Sequence, residues 1–131
     1  MIEVKGTVYR NALPEDEEDI YKLFEGTRLE VTPMQHPIIV AEQEGEIVGV
    51  VAVNPDFLDQ AVVVEPLIAK RKMIFFKLHQ AMEEALAAIG VKTFIFRVHV
   101  TQESYLRVVR KMGVYREFAE AYKHFWFRRD M

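Results

Sequence analysis

The sequence has no cysteine among its 131 residues, which excludes disulfides, thiolate zinc sites and a cysteine nucleophile. No apolar run approaches the roughly 20 residues needed to span a bilayer. The opening MIEVKGTVYR lacks the apolar stretch of a secretory signal, so the expectation is a cytoplasmic chain with no membrane partner. A strong charge of either sign is also missing. The net charge is −3 and the pI about 5.8, which argues against nucleic acid or an anionic membrane surface as partner. The four histidines fall in no H-x-H or H-x-x-x-H spacing, and no metal site is expected. There is no internal repeat, low-complexity tract or Gly/Ser linker, and the five prolines are scattered. One domain over residues 1–131 is the reading.

Half of the residues are hydrophobic, enough for a core without staples. GTVYRNA reads as a strand. LPEDEEDIYKLF follows as a helix, with Pro14 in its first turn and the acidic run Glu15 to Asp19 at the positive end of its dipole. That run reads as a solvated helix start, and Ile20, Leu23 and Phe24 as the apolar stripe. GTRLEVTPMQHP is irregular, since Pro33 and Pro37 oppose a helix. PIIVAEQEGEIVGVVAV is the clearest hairpin, two β-branched runs joined around Gln43-Glu44-Gly45. After NPDFLD, QAVVVEPLIA is apolar for most of its length, as a central strand covered on both faces would be. Residues 71–89 switch to helical period, with Phe75, Leu78, Met82, Ala85, Leu86 and Ile89 on one stripe and Gly90 as the stop. KTFIFRVHV is a strand, and TQESYLRVVRKMG a helix closed by Gly113. VYREFAEAYKHFWFRR reads as two strands and a turn, although EFAEAYKHF also fits a helix. The order β-α-β-β-β-α-β-α-β-β gives an α/β (α+β) protein, a mixed sheet of about six to seven strands with helices on both faces.

The junction LIAKRKMIFFKLH joins the central strand to the second helix. Lys70, Arg71 and Lys72 place like charge at the positive end of a helix, where anions are preferred. An anion held between them and the helix N–H groups would remove the conflict. The plain alternative is that the three side chains extend into solvent. A backbone phosphate cradle normally carries glycine, and here Met73 and Phe75 stand instead. Ordinary helical φ would still let both offer their N–H groups, whereas positive φ would strain Met73.

Three stretches carry a resemblance. YRNALPEDEEDIYKLF has an Arg-x-Ala-x-x-x-Asp pattern, EIVG opens the second run of the hairpin, and RKMGVYRE follows the last helix. In this order and spacing the chain resembles the GCN5-related N-acetyltransferase (GNAT) family over nearly its whole length. The resemblance implies a splayed central sheet that grips acetyl-CoA and transfers its acetyl group to an amine on a small molecule or a protein. It places the pyrophosphate loop on Lys70, Arg71, Lys72, Met73, Ile74 and Phe75, after Leu67 and Ile68 on the strand. It also places Gln102 where the family has an asparagine. Both loop glycines are replaced, and Val109 stands where the family often has a tyrosine that protonates the leaving thiolate.

Glu65 lies on the strand where the family often has a carboxylate base, and a solvent-facing or hydrogen-bonded strand glutamate is its structural alternative. Pro66 beside it suggests a bulge or splay. His99 stands near the C-terminal end of its strand, where ligands sit in α/β sheets, as a second candidate base or a half-buried structural histidine. Tyr105, one turn before Val109, is a candidate acid or a packing residue with a wet tip. His79 follows the helix stripe too closely to be a base, and His36 and His124 are isolated. The aromatics Tyr122, Phe125, Trp126 and Phe127 read as sheet packing, with an edge that could pair with another subunit. Two functions stay open, an acetyl-CoA-dependent N-acetyltransferase and a non-catalytic module of the same fold, including a phage-encoded or virion component that assembles into a homo-oligomer or larger particle.

Overall fold

A computed structural model describes residues 2–55 and 61–131. Eight strands form one sheet in the order β1-β2-β3-β4-β5-β6-β8-β7, slightly more than the sequence leads one to expect. The added strand, β1 (Ile2–Val4), is too short to show a pattern and turns through Lys5-Gly6 onto β2 (Thr7–Asn11). β3 (Gln35–Gln43) and β4 (Glu46–Asn54) form the expected hairpin. Its turn residues Glu44 and Gly45 have φ 52° and 79°, the primed turn whose twist matches antiparallel strands. β5 (Val63–Ala69) lies beside β4. Residue 60, the expected start of this strand, and residues 56–59 of NPDFLD lie outside the described residues.

At β6 (Thr93–His99) the sheet changes sense. Its parallel pairing with β5 covers Val63↔Ile95 and Val64↔Phe96 and then ends. The parting begins beside Pro66, which has no N–H to give a ladder. On its other edge β6 pairs antiparallel with β8 (His124–Asp130) from Thr93↔Asp130 to His99↔His124, and β8 carries β7 (Tyr115–Ala121) at the sheet edge. The C-terminal stretch is therefore a hairpin, turned by Tyr122 and Lys123 at φ 55° and 64° without a glycine.

α2 (Lys72–Ala88) and α3 (Glu103–Met112) lie over one face and enclose the larger core, which contains Phe75, Leu78, Phe94, Val109 and Phe127. Ile89, the expected last member of the α2 stripe, is 67% exposed because the helix stops at Ala88; Ile74 and His79 are buried instead. α1 (Glu17–Glu25), after a 3-10 turn at Pro14–Asp16, covers the other face, where Ile20, Leu23 and Phe24 pack on Val40, Val50 and Ile68. The acidic run is not wholly solvated. Asp16 is buried, holds Arg10 through two bonds of 2.7 and 3.0 Å, and accepts the Leu13 N–H at 2.7 Å. Arg10 keeps the Asp16 carboxyl below its usual range, burial opposing. That pair is the physical content of the Arg-x-Ala-x-x-x-Asp pattern: it fixes α1 to β2.

Candidate functional site

Where β5 and β6 part, a cleft of about 630 Å³ opens on the α1 side of the sheet. Glu65, Arg97, His99 and His124 form its floor, and residues 28–32 and the Tyr122-Lys123 turn its rims. Strand alternation brings Arg97 and His99 to one face, and the β6–β8 register sets His124 opposite His99. Glu65 is 8% exposed and is not solvent-facing. Its Oε1 accepts from Arg97 Nε at 2.7 Å, and its Oε2 lies 2.9 Å from His124 Nε2. The other ring nitrogen of His124 faces the Tyr122 carbonyl oxygen at 2.7 Å. A carbonyl only accepts, so Nδ1 is the donor there, and Nε2 is the nitrogen turned to Glu65. A carboxylate so enclosed is fixed in orientation and can pass a proton along a hydrogen-bonded chain.

His99 is arranged differently. Its Nδ1 accepts the Thr101 N–H at 3.2 Å and lies 2.7 Å from Thr101 Oγ1. Burial holds the ring below its usual range, nearby His124 adding to the effect. Neutral and accepting at Nδ1, the ring carries its proton on Nε2, so that nitrogen is a donor. Tyr105 is turned to the other side of the parting. Its hydroxyl accepts the Ala69 N–H at 3.0 Å and donates to the Ala69 carbonyl at 3.1 Å. Burial raises its pKa, with the Ala69 N–H opposing. Since Ala69 shows both polar groups to the parting, alternation turns those of Leu67 to the same edge and those of Ile68 toward β4. Gln102 is the N-cap residue of α3, its N–H bonded to the His99 carbonyl.

The basic junction is a regular helix start. Arg71 is the N-cap of α2, and none of residues 70–75 has positive φ. Glycine is therefore not required there for backbone conformation, and Met73 points outward, 54% exposed, while Phe75 is buried. The first intrahelical bond runs from Phe75 N–H to the Arg71 carbonyl, which leaves the N–H groups of Lys72, Met73 and Ile74 directed out of the helix end. No acidic residue sits in the first turn. Lys70 pairs with Glu46 at 2.6 Å, Arg71 bonds Gln43, and Lys72 lies 5.9 Å over the Phe76 ring. A groove of about 340 Å³ continues from here toward α3, lined by Lys72, Phe76, Ser104, Arg107 and Lys111. The site thus has two sides: an anion-favouring helix end and basic groove at the end of β5, and a carboxylate–histidine cleft on the α1 face.

Solved structures with this architecture decide the fold. The PaiA N-acetyltransferase of Thermoplasma acidophilum, in complex with coenzyme A, superposes with a TM-score of 0.72 at 12% identity, over 95% of this chain and 99% of that one. This is the GNAT fold. A probable acetyltransferase of Staphylococcus epidermidis gives 0.76 at 11%, with coverage of 95% and 99%. The diaminobutyrate acetyltransferase of Paenibacillus lautus, bound to L-2,4-diaminobutyric acid and coenzyme A, gives 0.70 at 16%, with 95% and 94% covered. No protein-family model matches the sequence, and no curated protein does.

Two of the positions that the resemblance singles out are occupied by core residues. Val109 is fully buried in the core, so the position that often carries a tyrosine offers no proton donor. Tyr115 is no substitute: its hydroxyl lies 2.5 Å from His79 Nε2 inside the core cluster. His124 and Arg97 are the residues that sequence reasoning missed. Arg97 could have been found from F-R-V-H alternation with His99. For His124 no spacing signals a link to Glu65; only the pairing of β8 with β6 makes it.

Proposed function

We propose that the protein is an acetyl-CoA-dependent N-acetyltransferase acting on an amine in the cleft at the parting of β5 and β6. The observation that carries this reading is the placing of a buried, doubly held Glu65 on one side of that parting, with an uncapped, cation-flanked helix N-terminus at the end of the same strand. The donor set suits acetyl-CoA. The first-turn N–H groups of α2 with Lys70, Arg71 and Lys72 would hold the pyrophosphate. The groove with Lys72, Arg107 and Lys111 would take the adenosine phosphate end, and the free edge of Leu67 the pantetheine amides. When bound, acetyl-CoA supplies an activated thioester.

The chain's own residues then manage an amine and its proton. Glu65, oriented by Arg97, takes the proton lost by the attacking amine, directly or through water, with His124 Nε2 beside its other oxygen. His99 Nε2–H acts as a donor toward developing negative charge, not as the base. Tyr105 is a clasp on Ala69 in this assignment.

Thermal unfolding with millimolar acetyl-CoA, CoA and ATP tests the reading. A ligand at 100 times its Kd adds about 2.7 kcal/mol, a rise of several degrees in a chain of this size. A shift with acetyl-CoA and CoA but not ATP is expected. The Lys70→Ala, Arg71→Ala variant should bind roughly 5- to 30-fold more weakly, two contacts at about 0.5–1 kcal/mol each. Glu65→Gln should bind normally and lose about 10²-fold or more in kcat/KM. The second reading, a GNAT-shaped module without chemistry, is favoured by the engaged Tyr105 hydroxyl and the buried Val109. An absent shift would select it.

A further inference from the structure

α1 covers only half of its face of the sheet. Cross-strand partners share a face, and Phe96 and Phe127 are paired within the core under α2 and α3. Their neighbours Arg97, Trp126 and Ala119 therefore lie on the opposite face, with Ile95, Arg128 and Arg116 one step further along β6, β8 and β7. None of these six belongs to either hydrophobic core. In the other direction the same face runs into His99 and His124, so it is continuous with the cleft.

This face is basic in an acidic chain. Arg97, Arg116 and Arg128 lie on it, and Arg28 and Lys123 stand at the cleft rims with one acid, Glu30, between residues 28 and 32. Glu65 answers Arg97, and Asp130 bonds Arg128 and is also drawn by the charge of Arg116. Arg116, Arg28 and Lys123 enter no ion pair among the described residues. Between the charges lie small and apolar groups, and the Arg97 guanidinium sits 5.3 Å over the Trp126 ring. Arg97 holds Glu65 with its Nε and its side chain is only 9% exposed, so the charges open to a partner on the strands are Arg116 and Arg128.

We propose that the β6–β8–β7 face, uncovered among the described residues, is a docking track for an extended acidic polypeptide segment, and that the amine delivered to the cleft belongs to the protein bearing it. The proposal rests on the acetyl-transfer reading and narrows its acceptor to a protein. A second copy of this chain is a poor occupant, because pairing the face with itself sets arginines against arginines. A single-stranded nucleic acid would find the one indole of the face already covered by Arg97 but an exposed ring in Tyr122 at the cleft rim, and the titration below separates it from a peptide.

The chain has one tryptophan, so Trp126 emission reports on this face without a label. Titration of the full chain with a Glu/Asp-rich dodecapeptide should change the emission saturably, and the response should disappear at high salt. Arg116→Glu with Arg128→Glu, both at exposed positions, should weaken binding about tenfold or more while the melting temperature holds. No response, or an equal response to a Lys-rich peptide, overturns the proposal. A stronger response to a single-stranded oligonucleotide overturns it as well and assigns the face to nucleic acid. Acetylation of the peptide amine, scored separately by mass, keeps the two ideas apart. Binding without acetylation in the presence of acetyl-CoA counts against transfer and upholds the track; acetylation of free amines with a silent Trp126 does the reverse.

Discussion

A methyl group at Gly49 would lie 2.7 Å from Leu78 Cδ1, 2.9 Å from Ile74 Cγ2 and 3.1 Å from the Ile68 carbonyl oxygen. The first two could shift; the third is backbone. Gly49→Ala should therefore cost about 1–3 kcal/mol as overpacking between β4 and α2, read as a lower denaturant midpoint at constant slope. An unchanged midpoint would mean that α2 is not seated on β4 at this spacing. The glycine was visible in EIVG, but its reason was not, because close approach is a property of two elements. His79 is a second residue of this kind. Its Nε2 meets the Tyr115 hydroxyl and its Nδ1 lies 3.2 Å from Glu83, which also holds Arg129 at 2.8 Å. Burial keeps His79 below its usual pKa, Glu83 opposing and Arg129 adding to the effect. The unfolded chain then binds the proton more readily, so stability is full above about pH 6.5 and falls as pH drops below it. His79→Gln should flatten that limb of a melting-temperature profile; a limb that survives in the variant belongs to another group.

Among the elements, the β3–β4 hairpin was legible because Glu44-Gly45 is a turn sequence between alternating runs. The C-terminal hairpin was ambiguous because Tyr122-Lys123 is not one. Both residues hold positive φ, a conformation that costs an L-residue on the order of 1 kcal/mol or more. Lys123→Gly should accordingly raise stability by about 1 kcal/mol. Since Lys123 is also a rim of the cleft, the same change should weaken capture of an acidic acceptor. A stabilised variant with undiminished binding would leave the lysine without a role there. Tyr122, read from sequence as sheet packing, is 76% exposed at this turn, because a two-residue loop puts its side chains outside the sheet.

At the scale of the molecule, the order of strands and helices was in the sequence, and so were the splay at Pro66 and the place of Glu65. Periodicity reports which face a residue occupies, and Gly, Pro and capping residues report where elements end. The floor of the cleft depends on which strands become neighbours. Glu65, Arg97 and His124 come together only because β8 inserts between β6 and β7, and no local pattern encodes that insertion. The Tyr105 clasp is equally non-local, and it has a consequence for the order of events. A strand edge can serve one guest at a time. Any arm that reaches the amide and carbonyl of Ala69 from the parting must first evict a hydroxyl that already satisfies both. For such an arm entry is an exchange of partners that loosens α3 from β5, whereas one that stops at the free edge of Leu67 leaves the clasp closed. Tyr105→Phe would remove the resident guest, leaving the apo chain about 1–3 kcal/mol less stable but the edge open, so that thermal stabilisation by acetyl-CoA should grow as the resting stability shrinks.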